Sequence, residues 1–247
     1  MNDLVNGIII NSIEYKENDA IVTIITREFR KVALYVKGYK KITSKNVFAT
    51  QLFDHSNFLF DYNPNKSIQI LKSANLIKQF SNIKTDYEKI SVASVICEIA
   101  SAVEEDIYDL VFEALDKLNE TEQMYLVLNV YLVAMLNILG ISPFVDGCVN
   151  CGRTDNIESI STKEGGFICS YCNKEFNDDI YDVDFLKNFR IINKASFEVY
   201  DKLLSLNLND FKLTVILMMI LINYSGIYLK SYQNLINLNK QVYFYEK

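Results

Sequence analysis

The sequence predicts a mixed α+β chain: a small five-stranded barrel, then an all-α domain into which a four-cysteine knuckle is inserted. Three observations predict it. Short β-rich segments separated by turn signals fill the first 80 residues, the apolar spacing changes to three and four from about Thr85, and two Cys-x-x-Cys pairs stand close together at Cys148–Cys151 and Cys169–Cys172. The 247 residues with 50% hydrophobic content supply ample material for packed cores.

The strand segments are GIIINSIEY, AIVTIITREF, KVALYVKGY, SNFLFDY and SIQILKSANL, rich in Ile, Val, Phe and Tyr. Asn18-Asp19, Gly38 and Asn63-Pro64 punctuate them. Five strands in so short a stretch fit a closed or partly closed barrel, of which the oligonucleotide-binding OB-fold is the common five-stranded form and an SH3-like barrel the alternative. The expected division is a barrel domain over 1–80 and a helical domain over 81–247, interrupted by a metal-binding segment at 148–175.

The helical domain reads as amphipathic segments over TDYEKISVASVICEIASAVEED, IYDLVFEALDKL and TEQMYLVLNVYLVAMLNILG, the last closed by Gly140 and Pro143. Further helices are expected over VDFLKNFRII, SFEVYDKLLSL and NDFKLTVILMMILINYSGIYLKSY. The apolar run from Leu213 to Leu229 contains Thr214, Asn223, Ser225 and Gly226, and reads as a buried helix rather than a membrane span. No basic region precedes an apolar stretch near the start, so the expected location is the cytoplasm.

In a reducing compartment four clustered cysteines favour metal over disulfides. Two residues between thiols let both sulfurs of a tight turn face one tetrahedral ion, and two such turns complete its coordination. Cys148, Cys151, Cys169 and Cys172 are therefore the expected ligands of one structural Zn²⁺ per chain, with no open position for catalysis. A thioredoxin-like redox site, the competing reading, uses one such pair rather than two. Cys97, in the apolar VASVICEIA, reads as core packing.

The net charge of −6 hides an asymmetry. Arg27, Arg30, Lys31, Lys37, Lys40, Lys41 and Lys45 face only Glu28 among acids between positions 27 and 45, whereas 81–147 is strongly acidic. A concentrated basic stripe in an acidic protein marks either a polyanion site or an ordinary solvated face. These seven residues are the candidate DNA contacts, with Tyr35 and Tyr39 interleaved as faces for base stacking. Enzyme signals are weak. His55 is the single histidine and reads as partly buried, no phosphate loop or dinucleotide fingerprint occurs, and the acids Glu104, Glu105, Asp106 and Asp109 read as a solvated helix-end patch.

Several stretches resemble the bacterial RecO family of recombination mediators. Glu17-Asn18-Asp19 followed by AIVTIITRE resembles the family's opening turn and second strand, and VKGYKKITSK its basic Lys-Gly hairpin. LGISPFVDGCVNCG resembles the run into the first knuckle, and IYLKSYQNL the closing Lys-Ser segment. The resemblance implies a non-enzymatic protein that binds single- and double-stranded DNA and anneals complementary strands. It also implies work with RecR to load RecA onto strands coated by single-stranded DNA-binding protein (SSB), whose C-terminal tail docks on the helical domain, and a bacterial, nucleoid-associated location without membrane contact. One departure stands out: the family's usual glycine before the third strand is replaced here by the run Phe29-Arg30-Lys31, so a left-handed turn residue falls to Arg30 at a cost. The rival function is a zinc-ribbon adaptor that binds only proteins. A metal-dependent nucleic-acid hydrolase is disfavoured by the closed four-thiol ligand set.

Overall fold

A computed structural model describes residues 4–41, 44–206 and 208–245, with side chains as far as Asn239 in the last helix. Ile42 and Thr43 of the expected basic hairpin lie outside the described residues. Five strands, β1 (Leu4–Tyr15), β2 (Asp19–Thr26), β3 (Arg30–Val36), β4 (His55–Phe60) and β5 (Ile68–Lys78), form a closed barrel in the order β1-β2-β3-β5-β4. β3 runs parallel to β5, and β4 closes the barrel antiparallel to β1. That crossing is the Greek-key arrangement of the OB-fold, not a simple meander.

Alternation in the sequence sets which residues enter the barrel. Ala20, Val22 and Ile24 of β2 and Val32, Leu34 and Val36 of β3 point inward to meet Val5, Ile9, Phe58 and Phe60. β1 departs from alternation because a register shift between Ile9 and Asn11 adds a residue. Ile8, Ile9 and Ile10 are consequently all buried, each burial contributing about 1.5–3 kcal/mol.

By packing, the chain divides into two compact units, one of residues 1–120 with 229–247 and one of residues 121–228. The change from strand to helix near residue 80 therefore falls inside the first unit. There α1 (Ser81–Thr85), α2 (Tyr87–Ala102), α3 (Tyr108–Glu120) and α9 (Lys230–Tyr245) accompany the barrel. α2 packs on β1 and on α9. Asp86 caps α2 by accepting from the backbone N–H groups of Glu88 (2.8 Å) and Lys89 (3.1 Å). Glu98 on α2 caps α9 in turn, accepting from the N–H groups of Lys230 (3.0 Å) and Ser231 (2.8 Å).

The second unit contains α4 (Met124–Ile138), β6 (Ile157–Ser161), β7 (Gly166–Cys169), α5 (Asn173–Phe176), α6 (Val183–Ile192), α7 (Tyr200–Leu203) and α8 (Phe211–Ser225). α4 and α8 are apolar nearly all round and pack on one another. Between them Asn129 accepts from the Thr214 hydroxyl (2.7 Å) and donates to the carbonyls of Leu208 and Asp210 (both 3.3 Å), so the buried polar atoms are paired. The expected continuous helix from Asn209 to Tyr232 is broken. Gly226 ends α8 in a left-handed conformation and α9 begins afresh at Lys230. Among the described residues no helix is long and apolar enough to cross a membrane.

Candidate nucleic-acid interface and metal centre

The seven basic residues of the stripe fall into two groups at opposite ends of β3. Lys37, Lys40, Lys41 and Lys45 lie beyond its last residue, Val36, and all four are exposed. Arg27, Arg30 and Lys31 lie at its start. The strand between them is about 20 Å long at its normal rise.

At the Lys37 end one carboxylate shapes the surface. Asp19, where β2 begins, accepts from the Gly38 N–H (2.8 Å) and from the Tyr35 hydroxyl. These two donors, the Gly38 N–H foremost, hold its pKa below the ordinary carboxylate value. Gly38 has a φ of 69°, and a Cβ there would find ordinary space around Lys41 and Ser44, so the turn needs glycine for its backbone and not for clearance. The Lys40 N–H then reaches the Asn18 carbonyl (3.1 Å), tying this loop to the β1–β2 turn, and its ammonium pairs with Glu14 (2.7 Å).

The tie brings in two residues outside the expected stripe. Lys16, itself left-handed at φ 56°, holds its ammonium 5.3 Å from the Tyr15 ring and 5.8 Å from the Tyr35 ring, and those rings meet edge to face at 6.0 Å. Tyr15 and Lys16 stand just before the Asn18-Asp19 turn signal, but only the barrel's register shows that they border Lys37. Tyr39 differs from expectation: it is half-buried against the barrel core and Tyr35, not Tyr39, keeps company with the lysines.

At the other end the positive charges already have partners. Arg27 pairs with Asp109, a contact that raises the guanidinium pKa, chiefly through its hydrogen bond. Lys31 donates to Glu104 (2.8 Å) and to the Ser101 carbonyl (2.9 Å), and Arg30 donates to the Glu104 carbonyl (3.1 Å). The Glu104 carboxyl is held below its usual range by the Lys31 hydrogen bond and charge. The acidic stretch expected to be a solvated helix end thus faces the basic turn of the barrel. Arg30 occupies the left-handed region at φ 56°, so the turn has kept the conformation a glycine would take freely.

His55 on β4 is 8% exposed. Its Nε2 contacts Asn6 and stands 3.0 Å from the Tyr108 hydroxyl, and burial, then the charges of Arg27 and Lys78, depress its pKa. Cys97 is buried in α2, and burial pushes its thiol pKa up.

In the second unit the ligand-like atoms of Cys148, Cys151, Cys169 and Cys172 all lie within 4.8 Å of one another. The sulfurs of Cys151 and Cys169 are 3.7 Å apart. Four thiolates around a tetrahedral ion at 2.3 Å stand about 3.8 Å apart, so the geometry fits a metal. Two features hold the pairs in register. The chain at Cys148 closes a turn, its N–H donating to the Arg153 carbonyl (2.7 Å) and its carbonyl accepting from the Gly152 N–H (2.8 Å), while the β6–β7 hairpin presents Cys169. Phe144 joins the two by bonding to Gly165 (2.8 Å) and Phe167 (2.9 Å), an approach at Gly166 so close that a Cβ would collide with the Phe144 carbonyl oxygen.

Burial opposes ionisation of Cys148, yet the backbone groups of Cys169, Cys151 and Asn150 bring its pKa down to about 6. Cys172 accepts from the Asn150 amide (3.4 Å) but is pushed up to about 12 by Cys151, by burial and by the other two thiols. Thiols this close cannot all ionise without a cation among them. These four residues can hold one metal ion.

A closed five-stranded barrel of OB topology with a lysine–tyrosine edge, followed by helices and a cluster of four cysteines that could hold a metal ion, defines the class of protein as an OB-fold chain with a cysteine knuckle. Comparison with known families gives it a more particular place. The family model described as Recombination protein O N terminal matches residues 1–80, and Recombination protein O C terminal matches residues 84–181. DNA repair protein RecO of Listeria innocua is 32% identical over 181 residues, covering 71% of this chain and 69% of that protein. DNA repair protein RecO of Halalkalibacterium halodurans is 30% identical over 172 residues, 67% of each chain, and that of Bacillus mycoides is 30% identical over 172 residues, 67% and 68%. The chain belongs to the RecO family.

Proposed function

We propose that the chain acts in DNA repair and recombination by binding single- and double-stranded DNA through its barrel, annealing complementary strands without chemistry of its own. The observation that carries this is the cationic, aromatic end of an OB barrel in an otherwise acidic protein. Lys37, Lys40 and Lys41 are the principal phosphate contacts, with Lys45 beside them. Arg27, Arg30 and Lys31 form a second group that DNA must share with Glu104 and Asp109. Contacts of this kind neutralise phosphates without reading sequence, so binding is sequence-tolerant and salt-sensitive. The metal held by Cys148, Cys151, Cys169 and Cys172 is one structural Zn²⁺, which supplies cross-linking of the knuckle.

Family membership supports a mediator's place: a partnership with RecR, engagement of the SSB tail by the helical part, and delivery of RecA to SSB-coated strands in the bacterial cytoplasm, at the nucleoid. A division at residue 80 into DNA-binding barrel and partner-binding helices, with the metal segment at 148–175, is the working map. The test is charge reversal of Lys37, Lys40 and Lys41 to Glu in the full chain, read by fluorescence anisotropy on single-stranded DNA and by strand annealing. Annealing is lost, and the salt slope falls by about 0.7 for each phosphate contact removed. Unchanged affinity and slope in a folded triple variant would show the lysines to be a solvated face and leave the chain as a protein-only adaptor.

A further inference from the structure

The break between α8 and α9 falls inside a pattern that does not stop there. Leu217, Leu221, Tyr224, Tyr228, Tyr232 and Leu235 recur at intervals of three and four, so the sequence carries one helical stripe from the middle of α8 into α9. The chain nevertheless leaves the helix at Gly226, whose φ is 70°. A Cβ at Gly226 would meet nothing within 4 Å, so glycine serves the left-handed backbone there and not clearance. The connection is short, residues 226–229, and its Tyr228 is 73% exposed.

What α9 holds on to is specific and lies within the first unit. Among the described residues α2 is its principal partner, and Leu229, Tyr232 and Leu235 are buried. Glu98 receives the N–H groups of Lys230 and Ser231 together with the Ser231 hydroxyl, which fixes where the helix begins. Toward the barrel the seat is incomplete. A cavity of about 510 Å³ is lined by Ser231 and Asn234 of α9, by Ser94 and Ser101 of α2 and, from the barrel, by Ile10 and Phe53. One buried face and one cap therefore hold the helix, and a second α9 of the same sequence makes both equally well.

We propose that α9 is an arm exchanged between two copies of this chain. Residues 226–229 straighten into helix, α8 and α9 become continuous, and the α9 of each copy seats on α2 of the other under its Glu98. The contacts of the seat are the same in both forms. Exchange costs the freedom lost on association and gains a continuous helix in place of the turn, so protein concentration and the residue at 226 decide between them. A helix from an unrelated protein has to supply apolar side chains at the spacing of Leu229, Tyr232 and Leu235 and free N–H groups for Glu98. A second copy supplies them by identity.

The experiment is analytical ultracentrifugation of the full chain at rising concentration. Gly226→Ala, disfavoured in the left-handed region and favoured in a helix, raises the dimer association constant at least about tenfold. Gly226→Asn adds a side chain that tolerates the left-handed turn and raises it less than about threefold. Removing Ile227 and Tyr228 leaves too little chain for the turn and gives the same dimer by a second route. A flexible Gly/Ser insert after residue 228 of the Gly226→Ala chain lets α9 fold back on its own α2 and restores the monomer. In the dimer the amides of Lys230 and Ser231 keep their protection from hydrogen exchange, because each is still received by a Glu98.

Three results would overturn the proposal. If both the Gly226→Ala and the shortened chains stay monomeric at the highest concentration, the turn is not what keeps the arm at home. A dimer that survives the flexible insert joins through another face. A dimer in which Lys230 and Ser231 lose their protection has released α9 without reseating it.

Discussion

Neutralising the acids opposite the basic turn tests whether Arg27, Arg30 and Lys31 belong to the DNA path. The perturbation is Asp109→Asn with Glu104→Gln, which removes both carboxylates that face Arg27 and Lys31. The backbone carbonyls of Ser101 and Glu104 still accept from Lys31 and Arg30, so the turn keeps part of its anchorage. The acids are exposed (side-chain exposure 73% for Asp109 and 82% for Glu104), and exposed pairs contribute little to stability, so the variant keeps its melting temperature. Arg27 and Lys31 lose their carboxylate partners. If both then meet phosphates, the slope of log K against log salt for single-stranded DNA steepens by about 1.4, at about 0.7 each. Between about 50 and 200 mM salt the variant therefore loses roughly sevenfold more affinity than the wild type does, starting from tighter binding at low salt. Anisotropy titrations at four salt concentrations measure it. An unchanged slope, in protein whose slope does respond to the Lys37, Lys40 and Lys41 substitutions, refutes the reasoning and confines the DNA to the far end of β3.

The metal centre predicts one tightly held zinc per chain by elemental analysis. Cys172→Ser should release it and lower the melting temperature of the second unit, whereas Cys97→Ala should leave metal content unchanged because Cys97 lies in α2 of the first unit. Arg30→Gly should raise stability by up to about 1 kcal/mol, a shift of roughly 2–4 °C in thermal melting, because the left-handed residue no longer carries a Cβ. A drop instead would mean that the Arg30–Glu104 bond outweighs the strain. Asp19 has a folded pKa below its unfolded value, so its stabilisation is present above about pH 4 and is lost as pH falls through the folded pKa. An NMR titration should show the Gly38 N–H shifting with that same low pKa, and Asp19→Asn should abolish the shift.

Much of the architecture was legible because local rules and the fold agree. Turn signals at Asn18-Asp19, Gly38 and Asn63-Pro64 separate five strands whose alternation marks their inner faces, and the cysteine spacing alone picks out the four thiols that the fold brings together. What escaped depends on contacts distant in sequence. Lys31 and Glu104 are 73 residues apart, and nothing in either stretch says that they meet. The basic stripe reads as one feature along the chain, yet β3 is extended and carries its two halves to opposite ends of the barrel. The break between α8 and α9 was carried by a single residue, Gly226, inside an apolar run whose periodicity continues past it.

The capping of α9 by Glu98 has a consequence for how the chain is made. Everything from residue 121 to 228 leaves the ribosome after the carboxylate of Glu98 and before the helix start that it receives. At about 5–20 residues per second the 132 residues from Glu98 to Lys230 take roughly 7–26 s, during which the α9-facing side of α2 has no cover from its own chain. The later-made unit, being continuous, can finish folding first, and the barrel unit is sealed only when α9 arrives. Dissection should respect that order. A truncation after residue 80 or 120 removes α9, the helix that packs on α2, whereas a chain of 1–120 joined to 229–247 keeps every element of the unit.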